Sequence, residues 1–247
     1  MKKFIALSQS SKKALHVAKI SAPLPVNILI QGDVGVGKKL LAREILPQSE
    51  TFYASDLEKQ LQQKLIDLES YNSIIVYEIN NIINKKQFFE KVKNIRIIST
   101  STNEYEDTQN NFPIKISLEN LDNRKEDLEE LIKIYTNEAN KIYSSEKTVD
   151  DIKIDISQNG ISLKKSIFKS VLLNSLSKNE LMDVMYNYFL QEFSDGKKTY
   201  KELLEVFEKP LLRASKKVFK SQVKMAENLE LNRITLRKKL TTYFKDK

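Results

Sequence analysis

The stretch that most constrains this chain is Gly32-Asp33-Val34-Gly35-Val36-Gly37-Lys38-Lys39, which holds three of the chain's five glycines. It follows directly on the apolar run Asn27-Ile28-Leu29-Ile30-Gln31 and leads into a helical pattern over residues 39–46. A strand running into Gly-x4-Gly-Lys and then a helix is the pattern of a phosphate-binding loop. There, backbone N–H groups and the helix N-terminus face phosphates and the lysine reaches them. Gly32, Gly35, Gly37, Lys38 and Lys39 are therefore the candidate nucleotide-binding residues.

Two more buried-type strands are expected over Ser73–Glu78 and Ile95–Ser99, with a helix over Ser10–Ile20 before the first strand. Strands alternating with helices around such a loop imply an α/β fold, a parallel sheet with helices on both faces. The loop also lacks parts that phosphate-transfer chemistry needs. Lys39 follows the loop lysine and has no hydroxyl to hold Mg²⁺, and Tyr77 stands where a metal-side carboxylate would be. A phenol is protonated at neutral pH and cannot serve that metal. If the chain hydrolyses nucleotide at all, Glu78 is the candidate base and Asn103, after the third strand, the candidate γ-phosphate sensor. No cofactor is required by this reading; ATP or ADP as a signalling ligand and an empty structural loop both stay open.

With no cysteine and a single histidine, His16, the chain offers no disulfide, thiolate or metal-ligand cluster, and no metal site is expected. No stretch reaches membrane-spanning length, and the apolar run after Met1 is too short for a signal peptide, so a cytoplasmic protein is expected. The net charge of +8 is unevenly spread. Residues 209–247 hold 12 of the 41 basic but 3 of the 33 acidic residues, a net of +9, so the preceding chain carries −1. That segregation is the electrostatic footprint of a nucleic-acid-binding terminus.

The middle of the chain reads as a helix over Glu126–Ser144 with an apolar stripe, a polar connector over Asp150–Gly160 and a helix over Ser162–Ser175. Beyond it, Leu181, Val184, Met185 and Tyr188 mark one face of a helix that a Gly196 stop ends. The next helix runs from Thr199 to about Val218 with Pro210 inside it, which should kink it. Two short helices with this much apolar surface cannot bury it alone, and a four-helix dimer core is the economical answer. Ser221 and Asn232 are expected to cap two further helices, Gln222–Leu229 and Arg233–Tyr243, in a tight helix-turn-helix. Leu236 and Leu240 should pack inward with Val223, Ala226 and Leu231, leaving Ile234, Arg237 and Lys238 outward with Arg233 and Thr235 on the flanks.

The first part resembles the central AAA+ ATPase domain of the NtrC-like, sigma-54-dependent activators. The matching pieces are Gly32–Lys38 with Leu41-Ala42-Arg43-Glu44-Ile45, the Ile74–Ile79 strand, Arg96–Asn103, Phe112-Pro113-Ile114, Leu118, Leu121 and Arg124-Lys125-Glu126-Asp127-Leu128. The departures are systematic. No GAFTGA-type sequence lies between Lys39 and Ser73, so the loop that engages the sigma factor is missing, and no Arg lies between Asn103 and Pro113 to act as a finger in trans. Where the family carries a lid arginine in Asn-Val-Arg-Glu-Leu, Ser177-Lys178-Asn179-Glu180-Leu181 places Asn179. Arginine fingers alone are worth roughly 10³–10⁵ in rate, so efficient hydrolysis is not expected.

The last part resembles the Fis family of DNA-binding proteins in Asn187-Tyr188-Phe189, Glu208-Lys209-Pro210-Leu211-Leu212 and Asn232-Arg233-x-Thr235-Leu236-Arg237-Lys238-Lys239-Leu240. That resemblance implies an intertwined homodimer on double-stranded DNA, associated with the nucleoid, with Gln222, Asn232, Arg233, Thr235, Arg237, Lys238 and Lys239 at the DNA. Glu230 in the turn and Val223 after Gln222 depart from the family pattern.

The expected layout is a degenerate AAA+ phosphate-loop subdomain over 1–125, a small helical lid over 126–176, and an all-α helix-turn-helix domain over 177–247. The leading functional expectation is a dimeric transcriptional regulator. An ATP-dependent activator with non-standard active-site residues and an adaptor whose N-terminal domain docks another AAA+ protein are the alternatives, with RNA polymerase or another AAA+ protein as further partners.

Overall fold

The computed structural model describes residues 3–68, 70–107, 110–196 and 198–244. They fall into two compact units, residues 1–175 and 176–247.

The first unit is built on a five-stranded parallel sheet in the order β2-β3-β4-β1-β5. The strands are β1 (Ile28–Gln31), β2 (Thr51–Tyr53), β3 (Ser73–Tyr77), β4 (Arg96–Ser101) and β5 (Ile114–Ser117). Central parallel strands are covered on both faces, so they read as unbroken apolar runs rather than as alternation. Ile28, Leu29, Ile30, Ile74, Ile75, Val76, Ile97 and Ile98 accordingly lose all their exposure.

Successive side chains point to opposite faces, and the core divides on that parity. Leu29, Ile74, Val76 and Ile97 meet α3 (Ala54–Gln62) and α4 (Lys85–Lys91) through Leu57, Phe88 and Phe89. Ile28, Ile30, Ile75 and Ile98 meet α1 (Gln9–Ser21) and α2 (Lys38–Ile45) through Ala14, Ala18, Leu41 and Ile45. Arg96 closes the carboxyl end of α1, donating to the carbonyls of Ser21, Ala22 and Val26 at 3.1, 2.8 and 3.1 Å, where the helix dipole favours a cation.

Helices α5 (Lys125–Tyr143) and α6 (Gly160–Ser175) pack on each other around Leu163, Ile167, Val171, Ile132 and Ala139. The buried Asp127 ties the N-terminal strap to α5. It accepts from the Leu7 and Ser8 amides at 2.6 and 2.9 Å and from the Ser11 hydroxyl, and pairs with Arg124 at 3.4 Å.

The second unit holds α7 (Lys178–Ser194), α8 (Tyr200–Phe219), α9 (Gln222–Asn228) and α10 (Arg233–Tyr243), with α8 continuing through Pro210. Capping boxes at Ser177/Glu180 and Thr199/Glu202 start α7 and α8, each satisfying two orphan amides. A small core of Leu212, Met225, Ala226 and Leu236 joins α8, α9 and α10. Val223 lies outside it, 42% exposed, against the expectation that it packs inward. On a 100° helical wheel Met225, Ala226 and Leu229 share one side of α9 and Val223 falls roughly 110° away, so Met225 takes the inward place.

Candidate functional site

Residues 32–37 lie between β1 and α2, with Gly35 at φ 81° and Gly37 at φ 107°, in the region that only glycine adopts without strain. Both are also needed for room. A Cβ on Gly35 would stand 2.1 Å from the Gln158 carbonyl oxygen, and one on Gly37 would stand 3.0 Å from the Phe4 ring. Lys38 is folded back on the loop, its Nζ donating to the carbonyls of Gly32 and Asp33 at 2.5 and 2.8 Å. Burial pulls its pKa below the ordinary lysine value, with the charges of Asp33 and Glu78 opposing the shift.

A cavity of about 470 Å³ opens beside the loop, lined by Gly35, Gly37, Lys38, Lys39, Glu78, Thr100, Ser101, Thr102 and Ile161 among others. Four of the five candidate nucleotide-binding residues, Gly35, Gly37, Lys38 and Lys39, therefore share one space; Gly32 sits at the base of the loop, close to the Leu118 carbonyl. Glu78 reaches the same space, but its backbone is left-handed at φ 61°. Its carboxylate pairs with Lys39 at 3.3 Å, and its amide donates to the Thr100 hydroxyl at 3.0 Å.

Asn103 does not line this cavity. Its amide nitrogen donates to the Asp33 carboxylate at 2.8 Å, as does that of Asn120, and both asparagines line a neighbouring cavity of about 660 Å³. Asn103 follows β4 in a turn that carries it to the other side of the loop, and Thr102, one residue earlier, lines both spaces.

Asn179 lies in the first turn of α7, in the second unit. Ile161, in the first turn of α6, lines the cavity.

The segment leading into α6 is bound to the loop through Asn159. Its amide donates to the carbonyl of Val34 at 3.0 Å and to Asn120 at 3.2 Å, its oxygen accepts from the Leu121 amide at 2.7 Å, and the Gly160 amide donates to the Gly35 carbonyl at 3.1 Å. Asn120 and Asn159 are 39 residues apart in an asparagine-rich chain, so no local pattern singles them out.

The cationic terminus forms a second candidate surface. Ser221 accepts from the Lys224 amide at 3.2 Å and Asn232 from the Ile234 amide at 2.8 Å, so both expected caps are in place. The four residues between α9 and α10 include Glu230 at φ 51°, a left-handed position where a glycine would relieve strain. Arg233, Ile234, Thr235, Arg237 and Lys238 are exposed on α10, and Gln222 is exposed at the start of α9.

Lys239 is different. It turns back onto α8 and pairs with Glu208, which also accepts from the Tyr243 hydroxyl at 2.8 Å. Three residues after Leu236, it lies on the inward flank of α10, so it leaves the set of outward cations. Lys216 and Lys220 take its place, joining Gln222 and Arg237 around a hollow of about 350 Å³. Among the described residues no cluster of three metal-ligating side chains occurs, and no helix is long and apolar enough to cross a membrane.

Residues 4–73 match the family model described as the sigma-54 interaction domain. A comparison with curated protein sequences found no match. Among solved structures, NtrX from Brucella abortus in complex with ADP superposes with a TM-score of 0.58 at 17% identity, covering 98% of this chain and 69% of that one. The ATP complex of the same protein gives 0.54 at 17% identity, covering 99% and 70%. AMPPCP-bound DnaA from Aquifex aeolicus gives 0.47 at 18% identity, covering 97% and 89%. The NtrX likeness together with the strand order defines the class of fold: an AAA+-like α/β arrangement on a parallel sheet, followed by a helical region.

Proposed function

We propose that the chain is a DNA-binding transcriptional regulator that acts as a homodimer through a Fis-type helix-turn-helix within residues 177–247. In this reading the AAA+-like unit binds ATP or ADP as a ligand and is a poor hydrolase. The observation that carries the reading is the outer face of α10, where Arg233, Thr235, Arg237 and Lys238 are exposed beyond a capped turn while Leu236 is 1% exposed. A short helix anchored by one apolar stripe and presenting cations and a hydroxyl suits entry into a major groove, with Lys216 and Lys220 placed for phosphates.

Lys39 and Tyr77 at the metal positions and Glu78 held in an ion pair support slow or absent hydrolysis. The nucleotides in the NtrX complexes support nucleotide as a ligand of this fold. Sigma-54 engagement forms no part of the reading, because residues 39–73 lack a GAFTGA-type sequence.

The test is a gel shift with Arg233→Ala and Arg237→Ala combined. Each lost groove or phosphate contact costs about 1–3 kcal/mol, so affinity should fall by about a hundredfold and its salt dependence should flatten. Undiminished binding in the double variant would overturn the reading. The family-model match over residues 4–73 favours a second reading, an ATP-dependent activator with unusual residues. It requires Mg²⁺-dependent turnover that Lys38→Ala abolishes, and absence of turnover with DNA present would remove it.

A further inference from the structure

Beside the loop lysine, Lys39 stands in a cage of its own. Its Nζ lies 3.0 Å from the Tyr53 hydroxyl and 3.3 Å from the Glu78 carboxylate, with the ring centroids of Tyr53 and Tyr77 at 4.4 and 4.9 Å. Tyr53 and Tyr77 are register partners on β2 and β3 and meet edge to face at 5.7 Å. Burial alone would lower the lysine pKa, but the hydrogen bonds and charges of Tyr53 and Glu78 outweigh it and hold the ammonium above its usual range.

These are the positions where the phosphate-loop fold would hold a divalent metal, and the donors present do not fit one. Mg²⁺ takes a near-octahedral set of oxygens, by rule including a hydroxyl after the loop lysine and a strand-end carboxylate. Here the first position carries a fixed positive charge with no free lone pair, and the second carries a phenol. Among the described residues the carboxylate that lines this cavity, Glu78, is already paired with that charge.

We propose that Lys39 is a built-in counter-ion standing in for the metal, so that the cavity takes the polyphosphate of a nucleotide without Mg²⁺ and keeps it unhydrolysed. Lys38 and Lys39 line the same cavity from adjacent positions of one helix, Lys38 with its ammonium on the loop carbonyls and Lys39 with its own between Tyr53 and Glu78. The same pairing that supplies the cation restrains Glu78, the group that would otherwise activate water.

The inference rests on the nucleotide-binding half of the proposed function and not on its DNA-binding half. The experiment is a calorimetric titration of the full chain with ATP, in EDTA and in excess Mg²⁺, for wild type, Lys39→Met and Lys39→Arg. Thermal unfolding of each variant confirms that it is folded. The wild-type affinity should agree within about threefold between the two conditions. In EDTA, Lys39→Met should weaken binding by at least about tenfold, the loss expected for one charge-assisted contact, and Lys39→Arg should stay within about threefold. Binding that requires Mg²⁺, wild-type affinity for Lys39→Met in EDTA, or no ATP binding under either condition would each overturn the proposal. Gel shifts on the same preparations read the DNA-binding half separately.

Discussion

The two units treat apolar surface in opposite ways. In the first, the central strands β1, β3 and β4 carry eight aliphatic residues with no exposure, and helices on both faces close over them. In the second, α7 buries none of its residues, and Leu181, Val184 and Phe193 stand 49%, 55% and 61% exposed. A sheet covered on both faces completes its core within one chain. Short helices with broad apolar stripes need more partners than α8 to α10 supply. The first unit therefore closes its core within itself, whereas the second leaves apolar side chains of α7 exposed, the surface that the proposed homodimer would cover.

The largest effect that would break this contrast is on pairing. Leu181→Glu with Val184→Glu places two charges on one exposed face of α7, where an apolar partner would leave them unpaired at a cost of several kcal/mol. Light scattering should find a monomer, and DNA affinity should fall by about a hundredfold or more as the joint binding of two half-sites is lost. A variant that still dimerises and binds would place the interface elsewhere.

Next in size is Ile75→Ala, which removes a fully buried side chain from β3 and should cost about 2–5 kcal/mol. The loss should appear in the unfolding of the first unit while the DNA affinity holds. A matching loss of DNA binding would mean that the units unfold together.

Smaller is Glu208→Ala, which removes the acceptor shared by Lys239 and Tyr243 and should cost about 1–2 kcal/mol of the second unit's stability. The hydrogen bond from Lys239 holds the Glu208 carboxyl below its ordinary value of 4.5, aided by Tyr243. A depressed folded-state pKa contributes stability that is present above the ordinary value and is lost as pH falls through the depressed one. The difference between wild type and Glu208→Ala should therefore narrow on acidification below about pH 4.5 and stay constant above it. A gap that instead persists at pH 2 would assign it to packing. The smallest effect belongs to Val223→Ala, within about 0.5 kcal/mol for an exposed site. A loss as large as that of Met225→Ala would reverse the inward assignment of Met225.

Much of this was legible from the sequence because it is carried by neighbours along the chain. Three glycines between an apolar run and a helix define the loop, and Asn232 followed by Leu236 and Leu240 defines the start and inner face of α10. The edge strands were not legible. β2 is three partly exposed residues and β5 four, two of them exposed, and they become strands by hydrogen bonding to β3 and β1. Lys239 reads as one more cation in a basic run until α8 brings Glu208 within reach of it.

By itself the sequence determined the loop, the buried strands, the caps and the segregation of charge, since each depends on spacing within a few residues. Only the tertiary structure decided that Ile161 faces the loop, that Asn103 bonds Asp33, and that Tyr53 closes the cage around Lys39. These contacts join residues 14 to about 130 positions apart, and no helical or strand period links them. They exist because the sheet places β2 beside β3 and because the segment before α6 hydrogen-bonds to the loop.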